Sequence, residues 1–593
     1  MVTGAPPAQG VVVFPDEIEV EHAHIGGLPV VNSMLARLGI DELVASFLPE
    51  PDPRCSVEPV RAIGVLVRNL CLGRQPLYGL GSWAAHLDPG LLRLSAKESA
   101  ALSDDCIVRA LGALFLADRA SLITALSLRA IEAFEIATDE LHDDSTSLAL
   151  YGAYAKAQGG SRAGIMPPRP PRGFSKDHRP DLKQFVWILT VSADGATPIT
   201  YRMADGNTED SMTHIATWER CRKIAGRSGF LCVADSKLCT RDNMDHIAGN
   251  HGRFLTILPR TRKEEETGRA WLTAGPIRWV EASRRPGKRK ADPDEVYWAV
   301  PAPSCSAEGY RITWFRSSVK RTNDAGARAE RIEAAHLALG ELARSLSSPR
   351  CHLKSIAAVE DAARDVIASA RATRWVRFEV GDELVVEFRQ ERRGRPGKNT
   401  AYKKVESHRF SLSFSTDAEA VTFDAASDGC FPAITNDTKM TEADLLAAYK
   451  RQPRLEHRHA TFRGVLEAAP LELKSDCRID AFGFCLYVAL LVHVLIEREL
   501  RRSMAKAGIG ELPVYYKDRT CQTPSAARVL ELLDPLGHTI VRHHGEILTQ
   551  TAPEVTPHQE QLLHLLEVPF GAERATELPR RNSGRRLRST CGT

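Results

Sequence analysis

The sequence lacks a Cys-x-x-Cys pair, although it holds thirteen cysteines. Without that spacing neither a structural zinc site nor a disulfide framework is suggested, and scattered thiols fit a reducing cytoplasm. Net charge is scarce as well. The formal +3 of the whole chain does not announce a nucleic-acid binder. The opening Met-Val-Thr-Gly-Ala-Pro-Pro has no basic flank and no long apolar core, so no signal peptide is expected. The longest uncharged apolar stretch, Ala481 to Ile496, lies between Asp480 and Glu497 and contains His493. It is short for a bilayer span and predicts a buried core helix. No internal repeat is found.

What is present is an ordinary globular composition, 43% apolar and 26% charged over 593 residues, a length that predicts three or four structural units. The cations are unevenly placed. Arg172, Lys176, His178 and Arg179 form one block; Arg260, Arg262 and Lys263 a second; Arg284, Arg285, Lys288, Arg289 and Lys290 a third; Arg392, Arg393, Arg395 and Lys398 a fourth; and Arg580, Arg581, Arg585, Arg586 and Arg588 mark the tail. Each block alone reads as a solvated loop, and several on one chain point to a phosphate-binding surface.

Residues 1–27 are polar and Pro/Gly-containing and are expected to be flexible. Apolar residues then recur at helical spacing (Val30, Met34, Leu35, Leu38; Ile63, Leu66, Val67, Leu70; Ile107, Ala110, Leu111, Leu114), which predicts a helical N-terminal domain over 28–138. Over 139–261 the pattern becomes strand, strand, strand, helix, strand, helix, strand. It includes the continuous apolar run Phe185–Val191 and a hairpin turn at Asp194-Gly195. By analogy of order this is the first part of a ribonuclease-H-like α/β core. A strand-rich insertion is expected over 262–429, with a hairpin turn at Gly381-Asp382. The core resumes over 430–500, and 501–593 is expected to be helical, ending in a disordered Arg-rich tail.

Two aspartates end or interrupt strand-like runs: Leu-His-Asp143-Asp144-Ser145-Thr146 and Leu-Cys-Val-Ala-Asp235-Ser236-Lys237. A strand presents Asp143 and Asp144 to opposite faces, so one ligand is expected. Asp144, directly before Ser-Thr, is favoured, with Asp143 the alternative; a cap or turn is the other reading of the same residues. Asp235, at the C-terminal end of a buried strand, would face the crevice where open α/β sheets bind ligands, or would cap the next helix. Glu456 lies in a basic segment, Tyr449 to Arg463, in which Tyr449, Glu456 and Arg463 recur at seven-residue steps and would share one helical face. Alone, such a glutamate reads as a surface ion-pair partner. Pro453 would break a continuous helix and is expected near the start of a second segment, with Glu456 one turn in. His457 and His459 flank it as possible metal ligands, though phosphate contact or exposure is the plainer reading.

These residues resemble the DDE transposases of bacterial insertion sequences, in the branch with a Tyr-x2-Arg-x3-Glu-x6-Lys signature and a strand-rich insertion before the glutamate. Tyr449 and Glu456 hold the signature's tyrosine and glutamate. Gln452 stands where the signature has arginine, with Arg451 and Arg454 as candidate substitutes, and Arg463 stands where it has lysine. Asp144-Ser-Thr-Ser resembles the first-aspartate motif, Asp235 the second, and Gly206-Asn-Thr-Glu-Asp210 the loop after the third strand. The apolar segment after Arg478 and the leading helices around Leu28 to Trp83 are similar to the family's as well.

The resemblance implies a polynucleotidyl transferase in which Asp144, Asp235 and Glu456 bind two Mg²⁺ or Mn²⁺ ions and cut and join DNA. Tyr449, Lys450, Arg454, Arg458, Arg463 and Lys237 would hold phosphates. The implied partners are double-stranded DNA (terminal inverted repeats and target) and a second copy in a synaptic dimer, with no membrane and a bacterial, nucleoid-associated location. Two rivals are a catalytically inactive repressor, suggested by Gln452 and Pro453, and a ribonuclease-H-like nuclease.

Overall fold

A computed structural model of the chain describes residues 12–13, 18–53, 55–150, 160–173, 179–287, 289, 292–348, 351–466, 473–543, 546–551 and 553–569. Two compact units are present, Met1–Phe254 with Lys450–Thr593, and Leu255–Tyr449. The fold is mixed α/β.

The first unit opens with β1 (Val12–Val13) and β2 (Ile18–His24), where a flexible segment was expected. The helices α1 (Leu28–Leu38), α2 (Ile40–Phe47), α3 (Pro59–Cys71), α4 (Leu80–Ala85), α5 (Ala96–Ala101), α6 (Asp104–Leu116) and α7 (Arg119–Phe134) follow. Their ends match their residues. Pro29 sits in the first turn of α1, Gly39 closes it at φ 56°, and Ser95 and Glu98 form a reciprocal capping box on α5. The strands β3 (Glu140–Leu150), β4 (Lys183–Ser192), β5 (Pro198–Asp205) and β6 (Leu231–Ala234) form a sheet in the order β5-β4-β3-β6. β3 pairs antiparallel with β4 and parallel with β6, and β4 pairs antiparallel with β5. The turn between β4 and β5 holds Gly195 at φ 73°, as Asp194-Gly195 predicts. α8 (His214–Ala225) and α9 (Arg241–Gly249) flank β6 in sequence, and β7 (Arg253–Ile257) carries the chain onward.

In the second unit β7 pairs antiparallel with β13 (Cys430–Thr435), and β13 leads to β10 (Arg311–Ser317), β9 (Glu295–Pro301) and β8 (Val280–Arg285), antiparallel throughout. The helices are α10 (Lys263–Thr273), α11 (Ser318–Leu346), α12 (Ile356–Ser369), α13 (Ala418–Ala426) and α14 (Glu442–Tyr449). β11 (Val376–Gln390) and β12 (Tyr402–Thr416) form a separate two-stranded ribbon. Gly381-Asp382 is not a turn. It lies inside β11, opposite Ser411 and Phe410, and a Cβ on Gly381 would stand 2.5 Å from the Ser411 hydroxyl. Close strand approach, not chain reversal, explains that glycine. The expected insertion covers 262–429; by compactness this unit takes in β7 from Leu255, β13 and α14 as well. Arg262, one of the clustered cations, is locked between Glu264 and Glu308 at 2.8 and 2.7 Å, and Arg284 is paired with Glu281.

Back in the first unit, α15 (Gln452–Ala460) runs into a π-turn (Thr461–Val465), and α16 (Asp476–Lys506) follows. α16 packs against α1, α3, α6 and β5. It is the one described helix long and apolar enough to cross a membrane, and its apolar window is wholly buried, as a core helix requires. Burial lowers the His493 pKa to about 4, with the ring against the Cys71 carbonyl at 3.1 Å. Phe462, Trp187, Tyr201 and Tyr487 stack in succession at 4.4, 4.5 and 4.8 Å, tying the π-turn through β4 and β5 to α16. The C-terminal part holds α17 (Ala526–Leu533) and α18 (Pro557–Leu565). It is not wholly helical: β14 (Gly537–His543) and β15 (Glu546–Gln550) join β1 and β2 in a sheet ordered β1-β2-β14-β15. The Arg-rich tail from Arg580, together with Lys176, His178, Lys288 and Lys290, lies outside the described residues.

Candidate active site

β3 is unusual for a central strand. His142, Asp143, Ser145, Thr146 and Ser147 are all buried within it. Buried polar groups need partners, so this run demands a polar shell from other elements. The shell differs on the two faces.

On one face, the Asp143 carboxylate accepts from the Thr190 hydroxyl at 3.1 Å and lies 3.1 Å from His214 Nδ1 of α8. Ser145 donates to Asp210 at 2.5 Å. Burial pulls the His214 pKa down, but Asp143, with Asp235 and Asp210 beyond it, outweighs burial and raises it. Asp210 and His214 were not among the expected site residues. Their signal was available, since a buried polar strand requires such partners and the Gly206–Asp210 loop already resembled a motif.

On the other face sits α15. Gln452 accepts at Oε1 from His142 Nδ1 at 2.8 Å, and its Nε2 donates to the Asp143 carbonyl at 3.1 Å. His142 Nε2 lies 2.8 Å from Glu140, and Arg451 grips Glu140 through two 2.6 Å hydrogen bonds. His459, two turns further along α15, places Nε2 3.7 Å from Asp144. Thus Gln452 is not a displaced phosphate contact. It fastens the helix to the strand, and Arg451 is engaged with Glu140 in the same fastening. Pro453 stands in the first turn of α15, where its missing N–H costs nothing.

Glu140 gives this fastening a pH signature. Burial raises its pKa, but hydrogen bonds from His142 and Arg451 overcome that and lower it from 4.5 to about 2. A depressed carboxylate contributes stability above its unfolded pKa and loses it as pH falls through the folded one. The stability gap between the native chain and Glu140→Gln should therefore be full near neutrality and close between pH 4.5 and about 2. Thermal melts of both proteins across that range measure it, and a gap independent of pH would remove Glu140 from the account.

The three expected carboxylates stand as follows. Asp144 is half-buried in β3, with Oδ1 accepting from the Ser145 amide at 2.8 Å. Asp235 is exposed, immediately after β6, and accepts from the Lys237 amide at 2.9 Å, so it does cap a short 3₁₀ turn. The parallel register pairs Asp143 with Ala234. Asp144 is the next residue of β3, and Asp235 is the first residue past the end of β6. Glu456 is exposed on α15, one turn after Gln452 and one turn before His459, and makes no hydrogen bond or ion pair among the described residues. Among the described residues no three His, Cys, Asp or Glu side chains close into a metal-holding group. The donor chemistry does fit a hard divalent cation, since all three offer carboxylate oxygens.

The seven-residue face is not formed. Tyr449 ends α14, Glu456 is in α15 and Arg463 is in the π-turn, so the residues belong to three segments with different helical phase. Arg454, Arg463 and Lys237 are exposed, and Lys450 and Tyr449 half-buried. Arg458 corrects its expected role. It is buried, and donates to Glu497 at 2.6 Å and to the carbonyls of Gly195 and Ala196 at 2.6 and 3.1 Å, so it cannot present its guanidinium to DNA. His457 is exposed and His459 buried.

No family model and no curated protein matches this chain. Among solved structures it is similar to a piggyBac transposase synaptic complex with hairpin DNA, at 6% identity and a TM-score of 0.36, over 86% of this chain and 78% of that one. At that level the likeness assigns no residue of this chain a role.

Proposed function

We propose that this chain is a DDE transposase of the insertion-sequence type, built on a ribonuclease-H-like core, which cuts DNA at transposon ends and joins them to a target. One observation carries the reading: Asp144 and Asp235 each directly follow the parallel pair Asp143–Ala234, while the helix bearing Glu456 is fastened to the same strand through Gln452 and His142. The sheet order β5-β4-β3-β6, with a single parallel pair at β3-β6, supports the core assignment.

Asp144, Asp235 and Glu456 are the residues that would hold Mg²⁺ or Mn²⁺. Two such ions, when bound, supply activation of a water or 3′-hydroxyl and stabilisation of the leaving 3′-oxygen at a phosphodiester. The protein's own part is placement. Asp143, held by Thr190 and His214, anchors β3 from behind, and the Gln452 fastening sets the helix. Lys237, Lys450, Arg454, Arg463 and Tyr449 are proposed phosphate contacts, which position a strand and carry little sequence information. Inverted-repeat recognition by the helical N-terminal region and assembly as a dimer on paired ends complete the proposal. The inactive-repressor reading loses its two motives, because Gln452 and Pro453 are both accommodated in the packing of α15.

The test is a purified full-length chain with Mg²⁺ and a plasmid carrying the DNA that flanks this reading frame in its genome. Cleavage at inverted repeats bracketing the frame, with joining to a target, is expected. Specific binding without cleavage, even in Mn²⁺, would instead indicate the repressor, and preference for an RNA–DNA hybrid would indicate a nuclease.

A further inference from the structure

The β11–β12 ribbon pairs through fifteen consecutive positions, from Val376 opposite Thr416 to Gln390 opposite Tyr402. At about 3.4 Å per residue it extends about 50 Å. Its base is well supported. Val376, Phe378, Leu412 and Phe414 pack on Ala335 and Leu339 of α11 and on Ala363 and Ile367 of α12. Beyond Gly381 and Ser411 the same face mixes Leu384, Val386, Phe388 and Tyr402 with Asp382, Glu406 and Lys404, and none of these is buried. Leu384, Val386, Phe388 and Tyr402 are 53%, 41%, 68% and 51% exposed, and no residue from Gly381 to Ser411 is fully buried. A two-stranded ribbon without a supporting layer is marginal in water, and large apolar side chains left exposed along it mark a contact surface.

The charge at the far end says what kind of contact. From Arg389 to Lys404 the chain carries seven cations (Arg389, Arg392, Arg393, Arg395, Lys398, Lys403 and Lys404) against one carboxylate, Glu391. Arg389 pairs with Glu387 and Lys404 with Glu406; Arg392, Arg393, Arg395, Lys398 and Lys403 make no ion pair among the described residues. An apolar protein partner would cover Phe388 and Tyr402 and leave those cations uncompensated. A DNA duplex takes both. Its major groove, about 12 Å wide, admits a two-stranded ribbon, its phosphates flank the cations, and thymine methyls and sugars meet apolar side chains.

We infer that the distal half of this ribbon is an arm that lies in a groove of double-stranded DNA, with the cationic tip on the phosphates and the Leu384–Phe388 face toward the groove floor. The inference rests on the proposed DNA activity and names a binding surface remote in sequence from its carboxylates.

Duplex affinity of the full-length chain, followed by fluorescence anisotropy over a salt series, tests it. A variant with Arg392, Arg393, Arg395 and Lys398 each changed to Gln should bind about 100-fold more weakly near 0.1 M salt, with a log K against log salt slope shallower by about 3.6 if each cation meets a phosphate. Phe388→Ser with Tyr402→Ser should weaken binding about tenfold at an unchanged slope, because it releases no counterions. All six sites are exposed, so thermal midpoints should match the native chain. Native affinity and slope in the fourfold variant would overturn the arm while leaving the DNA reading intact. A change of solution mass in the Phe388/Tyr402 variant without loss of affinity would make the face a protein contact and overturn it too. Failure of the native chain to bind any duplex would sink the proposed function, and the arm with it.

Discussion

Alanine at Asp144, Asp235 or Glu456 is expected to slow DNA cleavage by about a thousandfold or more while duplex affinity survives, because bound metal supplies several kcal/mol of transition-state stabilisation. Asp235 and Glu456 are exposed, and Asp144 is half-buried, with Oδ1 accepting from its own neighbour's amide. Their loss should therefore leave thermal stability close to native. Asp143 provides the contrast. It is buried against Thr190 and His214, so Asp143→Ala should lower stability by about 1–3 kcal/mol through the unsatisfied groups left behind. Single-turnover cleavage and melting of the four variants separate the two classes. Full activity of Glu456→Ala with Mg²⁺ in a purified strand-transfer assay would reject the assignment of the third carboxylate. Activity loss at Asp143 without loss of stability would exchange it with Asp144.

The second large effect concerns Arg458. Its three hydrogen bonds bind α15 to Glu497 of α16 and to the β4–β5 turn, all below the surface. Burial raises the Glu497 pKa, but Arg458, with Arg501 behind it, outweighs burial and lowers it, so the carboxylate stays charged. Arg458→Met strands that charge and orphans two carbonyls, and about 3–5 kcal/mol of destabilisation is expected. Removing both charges with Arg458→Met and Glu497→Leu should recover part of the loss, since the pair's own charges are gone while Arg501, about a third exposed, can turn to solvent. Denaturant unfolding reads both. If the single variant unfolds like the native chain but loses DNA affinity, the phosphate role expected from sequence would be restored.

Arg458 illustrates which parts of the molecule were legible beforehand. Periodicity located the helices over 28–138 and the α16 core helix, and apolar runs located β4 and β6, because those signals are local. What escaped depends on partners far along the chain. β2 is a strand because it pairs with β1 and, residue for residue from Ile18–His543 to His24–Gly537, with β14. Gly381-Asp382 reads as a turn in isolation, but fifteen-residue pairing with β12 overrides it. In the proposed site, Asp144, Asp235 and Glu456 were nameable from sequence, whereas Asp210 and His214 needed the sheet to bring them to Ser145 and Asp143. Seven-residue spacing misled at Tyr449 and Arg463 because the helix restarts at Gln452 and widens to a π-turn after Ala460.

The division of the chain has a consequence in time. The first unit is left after Phe254 and re-entered at Lys450, so a ribosome delivers Asp144 and Asp235 well before Glu456. At about 5–20 residues per second the delay is on the order of ten to forty seconds. On the proposed site, a nascent or truncated polypeptide would be harmless to the chromosome until the intervening unit had been made in full.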